Sequence, residues 1–431
     1  MEAFSNGVNL INSLRDALTT ISQTPCEHVD NSEKAKRRAS VALIIRIRPH
    51  FNHWPKDEIY RSESNESFDL PKYFATPWVQ NGDPEVIFIK RAAREGDRWT
   101  SHIALPGGKK DPEDTDDKSV AIRETAEEIG LDLTSPNATY IGKLPERLIL
   151  TALGTIPILT LCPFVFLWTK PVLPPLQLQP GEVASIHWVP LRIMLSSSSR
   201  TYKYIDSADR ILQRGGPVSK IVLQSLLGSI QFSAIELLPS ESLHCTSSEE
   251  FFPRENLIQL QSKKSFFNRI FDWGILGKQD KLASNDPLLL WGLTLGIFVD
   301  FLHLLPASNA IELWSYPTFT NYDVQLIVSI LTWSLRRRNK DSLKVESGAK
   351  LTAIDDENEA VPIENSLCVQ GLDGTTEVLK KSRFKNQSHI VGILLDGYYD
   401  MLRRGAIIAA GLRVASIFSL AFIIVKSYKR K

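Results

Sequence analysis

"LPGGKKDPEDTDDKSVAIRETAEEIGLDL", residues 105–133, concentrates carboxylates in a chain of almost no net charge. Five acids precede Val120, and after it three glutamates follow an arginine. From about Asp116 to Ile129 there is no Gly or Pro. Val120, Ile122, Ala126 and Ile129 recur at roughly helical spacing, so a helix is predicted here, ended by Gly130. On that helix Glu124, Glu127 and Glu128 stand at i, i+3 and i+4, on one face, with β-carbons about 6 Å apart. Left alone they repel. Hard carboxylate oxygens in such a group suit a divalent cation, Mg²⁺ or Mn²⁺, whose charge turns repulsion into binding. Gly107 and Gly108 let the chain turn tightly, so that a carbonyl at Gly108 can join the metal shell. Arg123 can hold one carboxylate bidentately and orient it. The plainer alternative for clustered glutamates is a solvated acidic helix face.

Outward from this stretch, bulk properties narrow the class. The 431 residues allow two or three domains, or one domain with insertions. Apolar residues make up 43% and charged residues 23%, a globular balance, and a net charge of +1 gives no field to recruit nucleic acid. Cys26, Cys162, Cys245 and Cys368 are far apart and form no CxxC pair, so neither zinc nor a disulfide framework is suggested and a reducing compartment fits. The opening "MEAFSNGVNLINSLRDALTT" carries Glu2 and Asp16 and reads as an amphipathic helix, neither signal peptide nor mitochondrial presequence.

The folded domain is expected to begin near residue 39, with 1–38 peripheral. "VALIIRIR" (41–48) and "EVIFIK" (85–90) are strands on either side of a loop insertion over 52–80. "TYIGKLPE", "ILTLCPFVFLW" and "EVASIHWVPL" are later strands, the second apolar enough to be central. A short helix follows at Leu191–Leu195, then a strand at 230–237 inside a second insertion, 200–285. "PLLLWGLTLGIFVDFLHLLP" (287–306) is nominally long enough to span a bilayer, yet Asp300 and His303 favour a buried domain helix. A helical extension is expected over 306–338 and a flexible linker over 339–388. The last segment, 389–431, is read as a C-terminal helix and membrane tail. Its core, "AIIAAGLRVASIFSLAFIIV" (406–425), is broken only by Arg413 and bracketed by bases, and an amphipathic helix packed on the domain is the alternative. A basic side chain near the interface can snorkel, which lowers its cost.

"GGKKDPEDTDDKSVAIRETAEEIGL" resembles the Nudix box, whose pattern is Gly, five residues, Glu, seven residues, then Arg-Glu-apolar-x-Glu-Glu-x-Gly-apolar. Arg123, Glu124, Glu127, Glu128 and Gly130 match, Thr125 stands in the apolar slot and Leu131 fills the last one. Counting from Gly108, the first acidic slot is Asp114, with one residue more than the pattern before Arg123. That departure is shared with the branch resembling coenzyme A diphosphatases, where "PGGKxDPxD" precedes the helix. Those relatives have Gly-Gln and Phe-Pro-Gly-Gly where this chain has Ser101-His102 and "IALPGG".

The resemblance covers about 41–305. It implies a Nudix-type α/β/α sandwich with a mixed sheet and the segment near 288–303 as a closing domain helix. It also implies attack of a metal-activated water on a diphosphate in a nucleotide derivative. Glu127 and Glu128 are then metal ligands, with Glu124 a third ligand or the general base. Glu182 is a further acid that can serve as that base, and its alternative is an ordinary strand-end acid. Lys90, Arg91 and His102 are candidate substrate contacts, while Trp99 and Trp188 could stack on a base. Coenzyme A or its esters are a narrower substrate reading. A catalytically silent Nudix-fold scaffold tethered to a membrane is the rival of another class. The expected placement is a membrane with the domain facing the cytosol, without distinction among peroxisome, outer mitochondrial membrane and endoplasmic reticulum. A small nucleotide-derived molecule is the expected partner.

Overall fold

The computed structural model describes residues 2–24, 26, 28, 37–55, 68–94, 99–150, 157–207, 217–247, 287–305, 315–355 and 390–428. The first half contains α1 (Glu2–Gln23), β1 (Arg38–Arg48), α2 (Leu70–Phe74), α3 (Pro77–Gln80), β2 (Asp83–Arg91), β3 (Ile103–Ala104), β4 (Gly107–Lys109) and α4 (Asp117–Ile129). Next come β5 (Ala138–Lys143), β6 (Arg147–Leu150), β7 (Pro157–Trp168), β8 (Val183–Pro190), α5 (Leu191–Leu195), β9 (Arg200–Asp206), α6 (Pro217–Leu227), β10 (Ser229–Glu236) and β11 (Glu241–His244). The remainder is β12 (Leu289–Trp291), α7 (Gly292–His303), β13 (Thr318–Phe319), α8 (Tyr322–Asp355), α9 (Ile390–Leu395) and α10 (Tyr398–Tyr428).

The main sheet runs β11-β8-β2-β1-β7-β5, with β3 on β2, β4 on β1 and β6 on β7. It is mixed: β1 and β7 are parallel and the other pairs antiparallel. The apolar runs of β1 and β7 follow from burial on both faces, because alternate side chains point to opposite sides of a strand. Ala42, Ile44, Cys162, Phe164 and Phe166 pack with Ala121 and Ile129 of α4. Leu43, Ile45, Val165 and Leu167 pack on the other side, with α1 and with Phe298 and Phe301 of α7. This is the expected α/β/α sandwich.

Several expected boundaries change. Within the segment 1–38 expected to be peripheral, Leu10, Ile11, Leu14, Ala17, Leu18 and Ile21 of α1 join the main core. The 52–80 insertion contributes Tyr73, Phe74, Trp78 and Val79 to that core. Within 200–285, β9 and β10 build a second sheet with β12 and β13, while β11 extends the main sheet. The linker expected from 339 instead continues α8 to Asp355. Leu343 is buried, and Asn339 Nδ2 donates to the carbonyls of Leu394 and Asp396 at 3.1 and 3.0 Å. The rest of that segment, 356–389, lies outside the described residues, as does 248–286.

The apolar helix α7 is a core helix, and Asp300 within it is buried in an ion pair with Arg147. The Asp300 carboxylate also accepts from the backbone N–H of Ile390, which docks α9 on the same point.

Candidate active site

α4 begins with Asp116 as N-cap, whose carboxylate accepts from Ser119 N at 2.6 Å. It ends on Gly130 at φ 71°, a left-handed turn open to glycine. The loop before β8 closes over this end: Gln177 N donates to Ile129 O at 3.0 Å and Gln179 N to Glu128 O at 3.1 Å. The buried Thr125 is tolerated in its apolar slot because its hydroxyl donates to Ala121 O at 2.6 Å. Both ends of the helix are therefore held, and the glutamates it carries are held with them.

Arg123 organises the outer side. Its Nε and Nη2 donate to both oxygens of Asp114, each at 2.9 Å, a bidentate pair. Nη1 donates to Glu127 Oε2 at 3.0 Å and lies 3.1 Å from Glu124 Oε1. The Asp114 carboxyl is held below the usual carboxylate range by these bonds from Arg123. Asp114, the displaced acidic slot of the sequence pattern, thus becomes the partner of the box arginine.

The inner side is Glu128, which is buried at 2% exposure. Gly107 N donates to its Oε2 at 2.8 Å. Burial pushes the Glu128 carboxyl up to about 8; nearby Glu124 and Glu182 add to the rise, while the Gly107 N–H and Arg91 oppose it. Glu124 is also raised, by burial first and then by Glu127 and Glu182, against the pull of Arg123. Gly107 sits at φ 147°, and a β-carbon on it would overlap the β1 backbone at Ser40 and Val41. A β-carbon on Gly108 would fill the space of the Glu124 carboxylate. The glycines thus let strand and helix close on one another.

Glu182, just before β8, lies close enough to act on the Glu124 and Glu128 carboxyls of α4, and Arg91 at the end of β2 close enough to act on Glu128. Glu182 is paired with Arg94 at 3.2 Å. Arg91 stands at the alternation of Ile87 and Ile89, which pack on α4, and its charge acts on Glu128 of that helix. Lys90 does not share it: period-two alternation sends it to the opposite face with Phe88, where its charge bears on His187. His102 takes its place through its backbone, which accepts from Arg91 N at 3.0 Å, while its ring meets Trp291 edge-on at 4.8 Å. Trp188 is a core residue under the Arg46 guanidinium, 4.1 Å from the ring centre.

The three glutamates do not converge as tightly as i, i+3, i+4 spacing suggests. Among the described residues, the group of three candidate metal-binding side chains with ligand atoms within 4.8 Å of one another is His28, Asp117 and Glu146. In the box, Arg123 draws Glu127 outward, where it is 51% exposed, while Gly107 holds Glu128 inward. The His28 group is already neutralised. Arg38 lies 2.7 Å from both carboxylates, and Lys110 and Lys143 add further pairs. The Arg38 network was not anticipated, since its members are separated by up to 118 residues and share no local spacing.

The residues of the box fit a divalent cation. Glu128 is buried with too little positive charge near it, and the bare backbone of Gly108 lets the Glu124 carboxylate pack beside the strand. Ser40, the register partner of Gly108, buries a hydroxyl with no hydrogen-bond partner among the described residues.

Comparison with known proteins agrees with this geometry. The NUDIX domain matches residues 72–206. A Schizosaccharomyces pombe protein described as uncharacterized is 33% identical over 308 residues, 70% of this chain and 77% of that protein. The mitochondrial Nudix hydrolase 15 of Arabidopsis thaliana is 32% identical over 28% of this chain and 39% of its own length. A mitochondrial coenzyme A diphosphatase of Mus musculus is 40% identical over 52 residues, 12% of this chain and 25% of that protein. The chain belongs to the Nudix hydrolase superfamily. Within it, this chain adds to the matched region the strands β10, β12 and β13 of the small second sheet and the helices α8, α9 and α10.

Proposed function

We propose that this protein hydrolyses a diphosphate bond in a nucleotide derivative with the help of Mg²⁺ or Mn²⁺, on a membrane to which α10 holds it. The observation that carries the reading is the buried Glu128 carboxylate, held by the Gly107 N–H at 2.8 Å beside the Glu124 carboxylate that packs against Gly108. Glu124, Glu127 and Glu128, with the Gly108 carbonyl, would hold the cation. Bound there, it would make water a better nucleophile and offset charge on phosphoryl oxygens. Arg123 sets the direction of Glu127 through one nitrogen while Asp114 holds the rest of its guanidinium. Glu124 or Glu182 takes the proton from the attacking water. Arg91, on the same sheet face, meets a phosphate oxygen.

Coenzyme A is the narrower substrate reading. It draws support from the "PGGKKDPED" pattern and from the partial similarity to the mouse coenzyme A diphosphatase. A hydrolysis panel of coenzyme A, nucleoside diphosphate sugars, dinucleoside polyphosphates and oxidised nucleotides, run with and without Mg²⁺, tests both levels. Turnover should require the cation and fall by at least about a hundredfold in Glu127→Gln and Glu128→Gln, as loss of a metal ligand implies. No turnover on any member, with the cation bound normally, would turn the reading into that of a silent scaffold.

A further inference from the structure

The one charge within 406–425 is Arg413, and its surroundings change what that charge means. Its Nε donates to Asp323 Oδ2 at 2.7 Å and its Nη2 to Asp323 Oδ1 at 2.5 Å. Nη1 donates to the carbonyls of Ser225 and Leu226 at 3.0 and 2.7 Å, in the last turn of α6. The guanidinium is thus matched by a bidentate carboxylate and by the negative end of a helix.

Arg413 also divides α10 into two unlike halves. Before it the helix is part of the domain: Tyr398, Leu402, Gly405, Ala406 and Ala409 are buried, with Gly405 close against Val328. After it every described residue is exposed, and the apolar side chains point all round, as with Ile417, Phe418, Leu420, Phe422 and Ile423. A helix docking in a protein groove needs one apolar stripe, whereas apolar character on every side suits lipid.

Length then decides how much of α10 lipid must cover. The fully exposed shaft 414–425 is about 18 Å long, well short of a hydrocarbon core of about 30 Å. Starting instead at Ile407 gives about 28 Å. The side chains needed for that longer reach are exposed too: Ile407, Ile408 and Leu412 on α10, with Tyr322 and Leu326 beside Asp323 on α8. Lys426 follows at the far side, where headgroup phosphates would meet it.

We propose that the bilayer covers α10 from about Ile407 onward, so that the Arg413–Asp323 pair enters the membrane already neutralised and the foot of the hydrolase domain sits in the headgroup layer. This rests on the membrane reading of α10 and adds the depth of insertion and the pair that permits it. An unpaired arginine at this depth is costly, so Asp323 is a positioning residue for membrane insertion rather than a part of the catalytic site.

The experiment uses the full chain reconstituted into phosphatidylcholine vesicles, reading the carbonate-resistant fraction and the melting temperature of the domain. Asp323→Asn should lower the ratio of resistant to extractable protein about tenfold, and adding Arg413→Leu should restore it. A merely structural role predicts no restoration, because the double variant lacks the pair as fully as the single one. Equal retention of Asp323→Asn and the unsubstituted chain, or failure of the double variant to recover, would overturn the proposal while leaving the membrane reading in place. Should the unsubstituted chain be as extractable as one stopped after Arg413, the membrane reading itself falls. A soluble dimer that dissociates on that truncation would assign the shaft to a second copy.

Discussion

Glu128 and Arg123 show how little of a residue's role its position in a motif determines. Both are box residues, yet one is buried against a backbone N–H and the other is half-ringed by acids on the rim. Lys90 and Arg91 make the same point more sharply: they are adjacent and chemically alike, and the pleat sends only Arg91 toward the site. Across the sheet, His187 is buried between the hydroxyls of Ser185 and Ser242, each 2.8 Å from a ring nitrogen. Burial, with His244 and Lys90 nearby, lowers it to about 4. The unfolded chain takes up this proton near pH 6.5 and the folded chain only near 4, so the stability is complete above 6.5 and is lost as pH falls through that window. The loss is at most ~3 kcal/mol. Urea unfolding at pH 7 and pH 4.5 should show this slope in the unsubstituted protein and a clearly smaller one in His187→Gln.

At the scale of elements, paired charges join segments that sequence spacing leaves unrelated. Arg147 at the start of β6 meets Asp300 of α7 inside the core and also donates to Gly296 O at 2.6 Å. Asp300 read as a sequence letter argues against a membrane span; in the fold it is the anchor that seats α7 and α9. Arg147→Met should destabilise the domain by about 3–5 kcal/mol by leaving a buried carboxylate unpaired. Adding Asp300→Leu should recover much of that, and chemical denaturation of the two variants measures both. The helix α4 itself was legible in its start and its end at Gly130, which follow from local signals; of the expected apolar positions Val120 and Ile129 are buried, whereas Ala126 is exposed and Ala121 and Thr125 lie on the inner face. The convergence of its glutamates was not, since that depends on Arg123, Asp114 and Gly107.

On the scale of the molecule, α10 belongs to two environments. Val391 joins the apolar cluster that contains α7, Tyr398 and Leu402 join that of α8 and β10, and Leu394 is buried as well. A chain stopped after Arg413 should therefore stay folded and active. A chain stopped before Ile390 loses the large buried side chains of Val391, Leu394, Tyr398 and Leu402, worth ~1.5–3 kcal/mol each and together comparable with the whole stability of a domain, and should aggregate. Melting curves and size-exclusion profiles of the two truncations separate these outcomes.

Sequence by itself determined the class of this protein, because strand alternation, helix periodicity and the spacing of Arg123, Glu124, Glu127, Glu128 and Gly130 are local and survive without any neighbour. It also marked 406–425 as apolar enough for lipid. Only the tertiary structure decided which charges are answered. Asp114 meets Arg123, Asp300 meets Arg147 and Asp323 meets Arg413, over separations of 9, 153 and 90 residues. An ion pair leaves no periodic trace in a chain, and its energy depends on burial and on the partner's approach, both of which exist only once the sheet and helices have packed.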